Sequence, residues 1–303
     1  MKAALYFNEL QPLLYGYYIC KGVIFLHRKI SAAVFTVLTA MFMCGCTSDK
    51  NTVGQSAGHN DRGGVTPAET AFLTDGKEKV CYGQGYETDS DNRPVGAIQA
   101  QEKYGSYGGR FIFGKDDKTI RLTFDEGYEN GCTGKILDIL KEKKVTATFY
   151  VTLDYVKSSP ELVQRMINEG HEVGNHSCTH PSLPDISDDM VFEEIHGLET
   201  YISDNFGGYK TVTMRPPRGE FSVRTLRIAK NMGYDTVLWS FAYNDWNTDA
   251  QPDRDTAYRR ITSATHNGAV YLLHAVSETN TAILPDVIDY WLDNGYTVKS
   301  ISG

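Results

Sequence analysis

Short apolar runs alternate with amphipathic stretches from residue 119 to the C-terminus. The apolar runs have the length of buried strands, and the amphipathic stretches repeat their apolar positions with the period of a helix. Alternation of this kind predicts a parallel sheet with helical crossovers. The predicted strands are 120–124, 145–151, 171–174, 212–215, 236–240, 269–274 and 296–300, and the predicted helices are 135–143, 161–169, 188–203, 222–232, 255–264 and 282–293.

The predicted units number about seven, which is fewer than the eight of a regular β/α barrel. We therefore predict an α/β fold, a distorted (β/α) barrel with about seven parallel strands. Polar residues cluster just beyond five predicted strands. In β/α barrels the carboxyl ends of the strands form the rim that carries catalysis. The residues that the pattern brings to this rim are Asp125, Glu126, His176, Arg215, Asp245 and His274.

The N-terminal region has the pattern of an export signal. Basic residues at 27–29 precede an uncharged run at 30–44, which is shorter than the ~20 residues of a membrane-spanning helix. We assign residues 1–46 as a targeting segment. The end of this segment, through Cys46, resembles the lipobox of bacterial lipoproteins, so Cys46 would carry a lipid. Secretion without a lipid is the alternative, and both place the protein outside the cytoplasm.

Residues 47–79 are rich in small and polar side chains and predict a flexible linker, so the catalytic domain is expected at 80–303.

Composition and charge limit the kinds of partner that the chain can bind. With 41% hydrophobic and 22% charged residues, the chain can bury a substantial core. The net charge is −8, and the targeting segment is basic, so the remainder is still more acidic. An acidic surface argues against nucleic acid as a partner.

Two histidines four residues apart could bind one metal ion. If the segment turns helically, His176 and His180 lie on the same face and can chelate together. The alternative is a pair of surface histidines on a loop. Because Ser177 stands where zinc proteases of the His-Glu-x-x-His type have Glu, the sequence argues against that class.

Two adjacent carboxylates directly follow the first predicted strand, 120–124. Asp125 and Glu126 are followed by Gly127, which permits a tight turn. One carboxylate can bind a metal while its neighbour removes a proton from metal-bound water. The alternative is a solvated acidic turn.

Five motifs, in this order and spacing, carry a resemblance to a known family: TFDEGYEN (123–130), HSCTH (176–180), RPPRG (215–219), NDW (244–246) and LLHAVS (272–277). They resemble the polysaccharide deacetylases of the NodB-homology type, carbohydrate esterase family 4. The resemblance extends from about residue 80 to the C-terminus. Within this family, the motifs look most like those of peptidoglycan N-acetylmuramic acid deacetylases, which prepare the muramic δ-lactam of the spore cortex.

The resemblance implies a distorted barrel and a divalent metal ion, usually zinc, held by a carboxylate and two histidines. Asp125 would be the general base, and the metal ligands would be Glu126, His176 and His180. The family normally has Asp where this chain has Glu126, whose side chain is longer by one methylene. A site of two histidines completed by water is therefore the alternative.

The resemblance also assigns the remaining catalytic groups. Arg215 would orient Asp125 and keep it ionised, since a nearby guanidinium favours the charged carboxylate. His274 would be the general acid that protonates the leaving amine, with Asp245 beside it to raise its basicity.

Three further residues are expected to contact the substrate. Trp246 and Leu272 would line the pocket for the acetyl methyl group. Arg218 stands where many relatives have an aromatic residue, and its guanidinium suits the lactyl carboxylate of muramic acid. The alternative for Arg218 is a surface ion pair with Glu220.

We therefore expect a metal-dependent hydrolase, an exported monomer that removes N-acetyl groups from peptidoglycan strands. A deacetylase of N-acetylglucosamine or chitooligosaccharides is the enzymatic alternative. A glycan-binding relative without activity is the other, but such a protein would lack a base or an acid, and both Asp125 and His274 are present.

Overall fold

The computed structural model describes residues 76–303. The predicted targeting segment 1–46 with Cys46, and the linker as far as residue 75, lie outside the described residues. The first described strand begins at Val80, where the catalytic domain was predicted to start. Among residues 76–303, no helix is both long and apolar enough to cross a bilayer.

Residues 76–303 contain ten strands and eight α-helices. The strands are β1 (Val80–Cys81), β2 (Gly109–Arg110), β3 (Thr119–Glu126), β4 (Thr148–Val151), β5 (Glu172–Asn175), β6 (Thr213–Met214), β7 (Glu220–Phe221), β8 (Asp235–Val237), β9 (Ala269–His274) and β10 (Thr297–Lys299). The helices are α1 (Val95–Tyr104), α2 (Thr133–Lys143), α3 (Leu153–Ser158), α4 (Pro160–Asn168), α5 (Asp188–Asn205), α6 (Val223–Asn231), α7 (Arg254–Ser263) and α8 (Glu278–Asp293).

Eight strands form one sheet in which every pairing is parallel. Strand β3 pairs with β4, β9 and β10, and the sheet continues from β4 through β5, β6 and β8 to β2. A parallel bridge between Phe241 and Tyr271 links the segment after β8 to β9. The sheet therefore curls into the predicted distorted barrel, and all seven predicted strands are present. β2, of only two residues, was not predicted.

Side chains of β3 alternate between two layers, as the period of a strand requires. Ile120, Leu122 and Phe124 belong to the main core between the sheet and its helices. Residues 121, 123 and 125 take the opposite face, and the Thr123 hydroxyl donates to the carbonyl oxygen of Tyr271. This alternation carries Asp125 towards the barrel interior at the carboxyl end of the strand.

The outer face of the barrel is covered by helices with one apolar side. Ile136 and Leu140 of α2 pack into the same core as Trp291 of α8, and all three are buried. Burial of each such side chain contributes ~1.5–3 kcal/mol. Helix α8 begins four residues before its predicted start because Ser277 caps it, accepting a hydrogen bond from the backbone N–H of Asn280.

A second apolar cluster fills the barrel interior. It includes Tyr150 of β4, Trp239 of the segment after β8, and Leu272 of β9. Helices α1 and α3 were not predicted, because α1 mixes Gly and polar residues without a clear apolar stripe and α3 has only six residues.

Candidate active site

Asp125 and His274 lie side by side at the mouth of the barrel. They are register partners at the carboxyl ends of the parallel strands β3 and β9, so their side chains project from the same face. Because opposed residues in a sheet are close neighbours, the predicted base and acid share one site.

The Asp125 carboxylate has a cationic partner on one oxygen and an imidazole near the other. The Arg215 guanidinium donates to Oδ1 through Nη1 at 2.8 Å, and Oδ2 lies 3.6 Å from Nε2 of His176. Burial acts to raise the pKa of Asp125, but opposing interactions, of which the charge of Arg215 is the largest, outweigh it and lower that pKa below its ordinary value. Asp125 is therefore ionised, as a general base must be.

Arg215 is itself held rigidly inside the barrel. Its side chain is fully buried and donates to the carbonyl oxygens of Val237 and Leu238 at 3.1 and 3.2 Å. The guanidinium also stacks on the ring of Tyr150, with 4.3 Å between its carbon and the ring centroid. The predicted contact with Asp125 is present, and Tyr150 is a supporting residue that the motifs did not reveal.

A tight turn after β5 brings the two predicted metal-binding histidines together. The rings of His176 and His180 are 4.9 Å apart between centroids. The turn is not helical, because Ser177 and His180 both have positive φ, at 69° and 57°, and the two rings come together without the helical spacing considered from the sequence. The Asn175 side chain supports it by accepting from the backbone N–H of Ser177 and donating to the carbonyl oxygen of Ile195.

The two imidazoles have the protonation state of metal ligands. Burial lowers the pKa of both rings, that of His180 to about 4. The carbonyl oxygen of Arg215 lies 2.8 Å from Nδ1 of His176 and can only accept, so Nδ1 carries the proton and Nε2 has a free lone pair. A hydrogen bond of this kind orients a ligating histidine. His176 and His180 therefore fit a divalent metal ion.

Glu126 is not brought to these histidines, which corrects its predicted place beside them. Its side chain takes the helix-facing side of β3, opposite to Asp125, and is fully buried. Both carboxyl oxygens lie 3.4 Å from the hydroxyl of Thr133 on α2. Burial, reinforced by the charges of Glu129 and Asp125, raises the pKa of Glu126 well above its ordinary value.

Because of this orientation, the predicted set of Glu126, His176 and His180 does not assemble. Within residues 76–303, no group of three His, Cys, Asp or Glu side chains is arranged to hold a metal ion. The alternative predicted from the sequence, two histidines completed by water, stays a prediction.

His274 is coupled to a buried carboxylate, as predicted. Its Nδ1 lies 2.7 Å from Oδ1 of Asp245, and its backbone N–H donates to Oδ2 at 2.9 Å. Burial acts to lower the pKa of His274, but the charge and hydrogen bond of Asp245 outweigh it and raise that pKa above its ordinary value. His274 is thus favoured in the protonated form, which a general acid requires.

Arg218 acts electrostatically on the histidine pair. Its charge is among the contributions that lower the pKa of His180. Arg218 is exposed and makes no hydrogen bond or ion pair with the part of the chain that the structure describes. The alternative, an ion pair between Arg218 and Glu220, is not among the salt bridges of residues 76–303, in which Glu220 pairs with Lys79 at 2.9 Å.

The other two predicted substrate residues lie at different depths. Leu272 is buried in the barrel interior, two positions before His274 on the same face of β9. Trp246 follows Asp245 and is 56% exposed, so its side chain does not form a closed pocket wall.

Asn280 is a further residue that the motifs did not reveal. It lies in the first turn of α8, is buried, and donates from Nδ2 to Oδ2 of Asp245 at 2.6 Å. The only signal in the sequence was its position three residues after the helix cap Ser277.

Comparison with known proteins agrees with this site. Residues 114–237 match the family model described as polysaccharide deacetylase. The chain is 43% identical over 200 residues to the peptidoglycan N-acetylmuramic acid deacetylase of Bacillus subtilis, covering 66% of this chain and 75% of that protein. It is 33% identical over 187 residues to the peptidoglycan N-acetylglucosamine deacetylase of Listeria monocytogenes, covering 62% of this chain and 39% of that protein.

Comparison with solved structures finds the same fold in a member of this family. The solved structure of the Bacillus subtilis enzyme, described as a family 4 carbohydrate esterase, superposes with a TM-score of 0.71 at 39% identity and covers 75% of this chain and 96% of that one. The motifs, the barrel and the identity over most of a relative's length agree, and we conclude that the chain belongs to the polysaccharide deacetylase family.

Proposed function

We propose that this protein hydrolyses the N-acetyl group of peptidoglycan amino sugars, with N-acetylmuramic acid as its preferred residue. The observation that carries the proposal is that Asp125 and His274 lie on adjacent strands and that their pKa values are shifted in opposite directions. The pKa of Asp125 is lowered and the pKa of His274 is raised, so one is an ionised base and the other a protonated acid. Two neighbouring groups whose pKa values are shifted in opposite directions divide the roles of acid and base.

The reaction uses these two groups in turn. Asp125 accepts a proton from water as the water oxygen bonds to the acetyl carbon. Protonated His274 then donates from Nε2 to the amide nitrogen, the carbon–nitrogen bond breaks, and acetate and a free amine leave. Proton exchange with solvent restores Asp125 and His274. Each general acid or base step contributes ~10²–10⁴-fold to the rate.

The histidine pair adds a metal to this scheme. His176 and His180 would hold a divalent ion, which we propose is zinc; when bound, it would supply a positive charge that polarises a carbonyl group and lowers the pKa of a water. The backbone N–H of Arg218 is proposed to donate to the developing oxyanion, a role that does not depend on its side chain.

The preference for muramic acid rests on the guanidinium of Arg218. Muramic acid differs from glucosamine by a lactyl ether that ends in a carboxylate. Arg218 is an exposed cation whose charge helps to lower the pKa of His180, and it has no internal partner in the described residues. A guanidinium binds a carboxylate in two-pronged geometry. The more similar of the two enzymes compared above acts, by its name, on N-acetylmuramic acid. Deacetylation of glucosamine residues is the second candidate, supported by the Listeria relative.

Mass spectrometry of peptidoglycan tests the reaction. Glycan strands with and without stem peptides are incubated with the metal-loaded protein and digested, and the fragments are compared with those from a sample treated with the Asp125→Asn variant. Loss of one acetyl mass from muramic residues is the expected result. Strands that keep every acetyl group would overturn the proposal, and loss from glucosamine alone would favour the second candidate.

The setting of the enzyme is also proposed from the sequence. We propose a monomer outside the cytoplasm that prepares muramic residues for δ-lactam closure in spore cortex. It would be either tethered by a lipid on Cys46 or secreted without one. Membrane fractionation of a Cys46→Ala variant tests the tether: release into the soluble fraction is expected, and unchanged membrane retention contradicts it.

A further inference from the structure

Asp245 is buried and accepts three hydrogen bonds. Two come from His274, through Nδ1 at 2.7 Å and the backbone N–H at 2.9 Å. The third comes from Nδ2 of Asn280 at 2.6 Å. Asp245 and Asn280 are 0% and 2% exposed, so solvent does not compete for these contacts.

The orientation of the Asn280 amide is fixed from its other end. The hydroxyl of Tyr243 donates to Oδ1 of Asn280. Burial raises the pKa of Tyr243, so its hydroxyl keeps the proton. A carboxylate can only accept, so the amide must point its nitrogen at Asp245 and its oxygen at Tyr243. The chain of donors therefore runs in one direction, from Tyr243 through Asn280 to Asp245.

We propose that Asn280, oriented by Tyr243, is a positioning residue that holds Asp245 in place for His274. With Oδ2 bound by Asn280, the other oxygen of Asp245 faces Nδ1 of His274, and Nε2 faces the mouth where the amine leaves. The inference rests on the proposed role of His274 as the general acid.

Capping of helix α8 does not account for the Asn280 side chain. The backbone N–H of Asn280 already donates to the capping hydroxyl of Ser277 at 3.0 Å. The side-chain amide is directed away from the helix, to a loop residue 35 positions earlier in the chain. Removal of the residue that orients a metal-ligating histidine typically costs 10–100-fold in function, and we expect an effect of the same order for a residue that orients the carboxylate behind His274.

Steady-state kinetics of Asn280→Leu on peptidoglycan fragments tests the role. We expect kcat to fall about 10–100-fold with KM nearly unchanged, because Asn280 does not contact the substrate. The matched control is Thr281→Val, which removes a buried hydroxyl bonded to Ser277 in the same helix turn and should keep the wild-type kcat.

A double-mutant cycle separates positioning from general stability. If Asn280 acts through Asp245, the loss caused by Asn280→Leu should largely disappear in an Asp245→Asn background. An equal loss in both backgrounds, or an unchanged kcat in the single variant, would overturn the proposal. If Asn280→Leu does not fold, Tyr243→Phe serves instead, with a smaller fall in kcat expected and an unchanged kcat refuting the chain of donors.

Failure of this inference is distinguishable from failure of the proposed function. A wild-type protein that releases no acetate, or a fully active His274→Ala variant, would contradict the function itself. An active wild type with an inactive His274→Ala and a fully active Asn280→Leu would contradict only the role of Asn280.

Discussion

The backbone carbonyl of Arg215 lies 2.8 Å from Nδ1 of His176, so one arginine touches both halves of the site. Its guanidinium binds Asp125 at 2.8 Å, while its carbonyl fixes the proton of the imidazole on the metal-binding side. The geometry of the base and of the histidine pair therefore depends on where β6 ends, directly before Arg215.

Replacement of Arg215 by Met should shift the acid limb of the pH–rate profile upward. Burial raises the pKa of Asp125, and Arg215 is the largest of the charges that lower it. A base works only when deprotonated, so the variant should lose activity at a higher pH than the wild-type enzyme. The profile of kcat/KM against pH provides the measurement.

Arg121→Met is the matched control for this shift. Arg121 is also buried and pairs with a carboxylate, Asp117, at 2.7 Å, but it lies at the amino end of β3. Its replacement should leave the acid limb unchanged. An Arg215→Met profile that coincides with that of the wild type would show that Arg215 does not set the pKa of the base.

Loss of either proton-transfer group should nearly abolish turnover while the protein stays folded. Asp125→Asn and His274→Ala each remove a general acid or base step, so a fall of ~10²–10⁴-fold in kcat is expected. Acetate release measures the rate, and circular dichroism checks the fold. His196→Ala, on the exposed part of α5, is the control and should be fully active. Full activity in either site variant would refute the assignment.

The sequence predicted the barrel and the Asp125–His274 pair because both follow from strand periodicity and from motif order. It misjudged Glu126 because the predicted strand ended at Phe124, which left the two acids in a turn where they could share a site. In the structure β3 extends through Glu126, and adjacent strand residues must face opposite sides. The left-handed residues Ser177 and His180 were also beyond prediction, since residues other than glycine rarely adopt positive φ.

Metal titration should separate Glu126 from the histidines. Glu126→Gln is expected to bind zinc with wild-type affinity, because its side chain faces Thr133 on the helix side of β3. His180→Ala should weaken binding strongly, because it removes one imidazole of the pair. Calorimetric titration of the metal-free proteins gives both affinities. Equally weakened binding in the two variants would restore Glu126 as a ligand.

Glu126→Gln should also stabilise the protein at neutral pH. The pKa of Glu126 is raised in the folded state, so the folded protein retains a proton that the unfolded chain releases above about pH 4.3. The stability from this group is full below that pH and declines as the pH rises towards the folded pKa. Gln is neutral throughout, so the melting temperature of the variant should exceed that of the wild type at pH 7, and the gain should shrink near pH 4. A gain that is the same at both pH values would contradict a raised pKa.

Arg218 should set the preference between the two amino sugars of peptidoglycan. A charge-assisted hydrogen bond contributes about 1.5–3 kcal/mol, so Arg218→Ala should lower kcat/KM on muramic residues by at least tenfold. Activity on glucosamine residues should hardly change, because they lack the lactyl carboxylate.

Two control variants test whether the guanidinium itself is responsible. Arg218 has φ of 61°, which strains any side chain with a Cβ equally. Arg218→Lys therefore keeps the backbone strain and the charge but removes the two-pronged geometry. We expect Lys to restore part of the preference, and Arg227→Ala, an exposed arginine on α6 that stacks on Tyr107, to leave it unchanged. Equal losses on both sugars in Arg218→Ala would assign the residue to the oxyanion or to the fold, and selectivity would then have to come from another residue at the mouth.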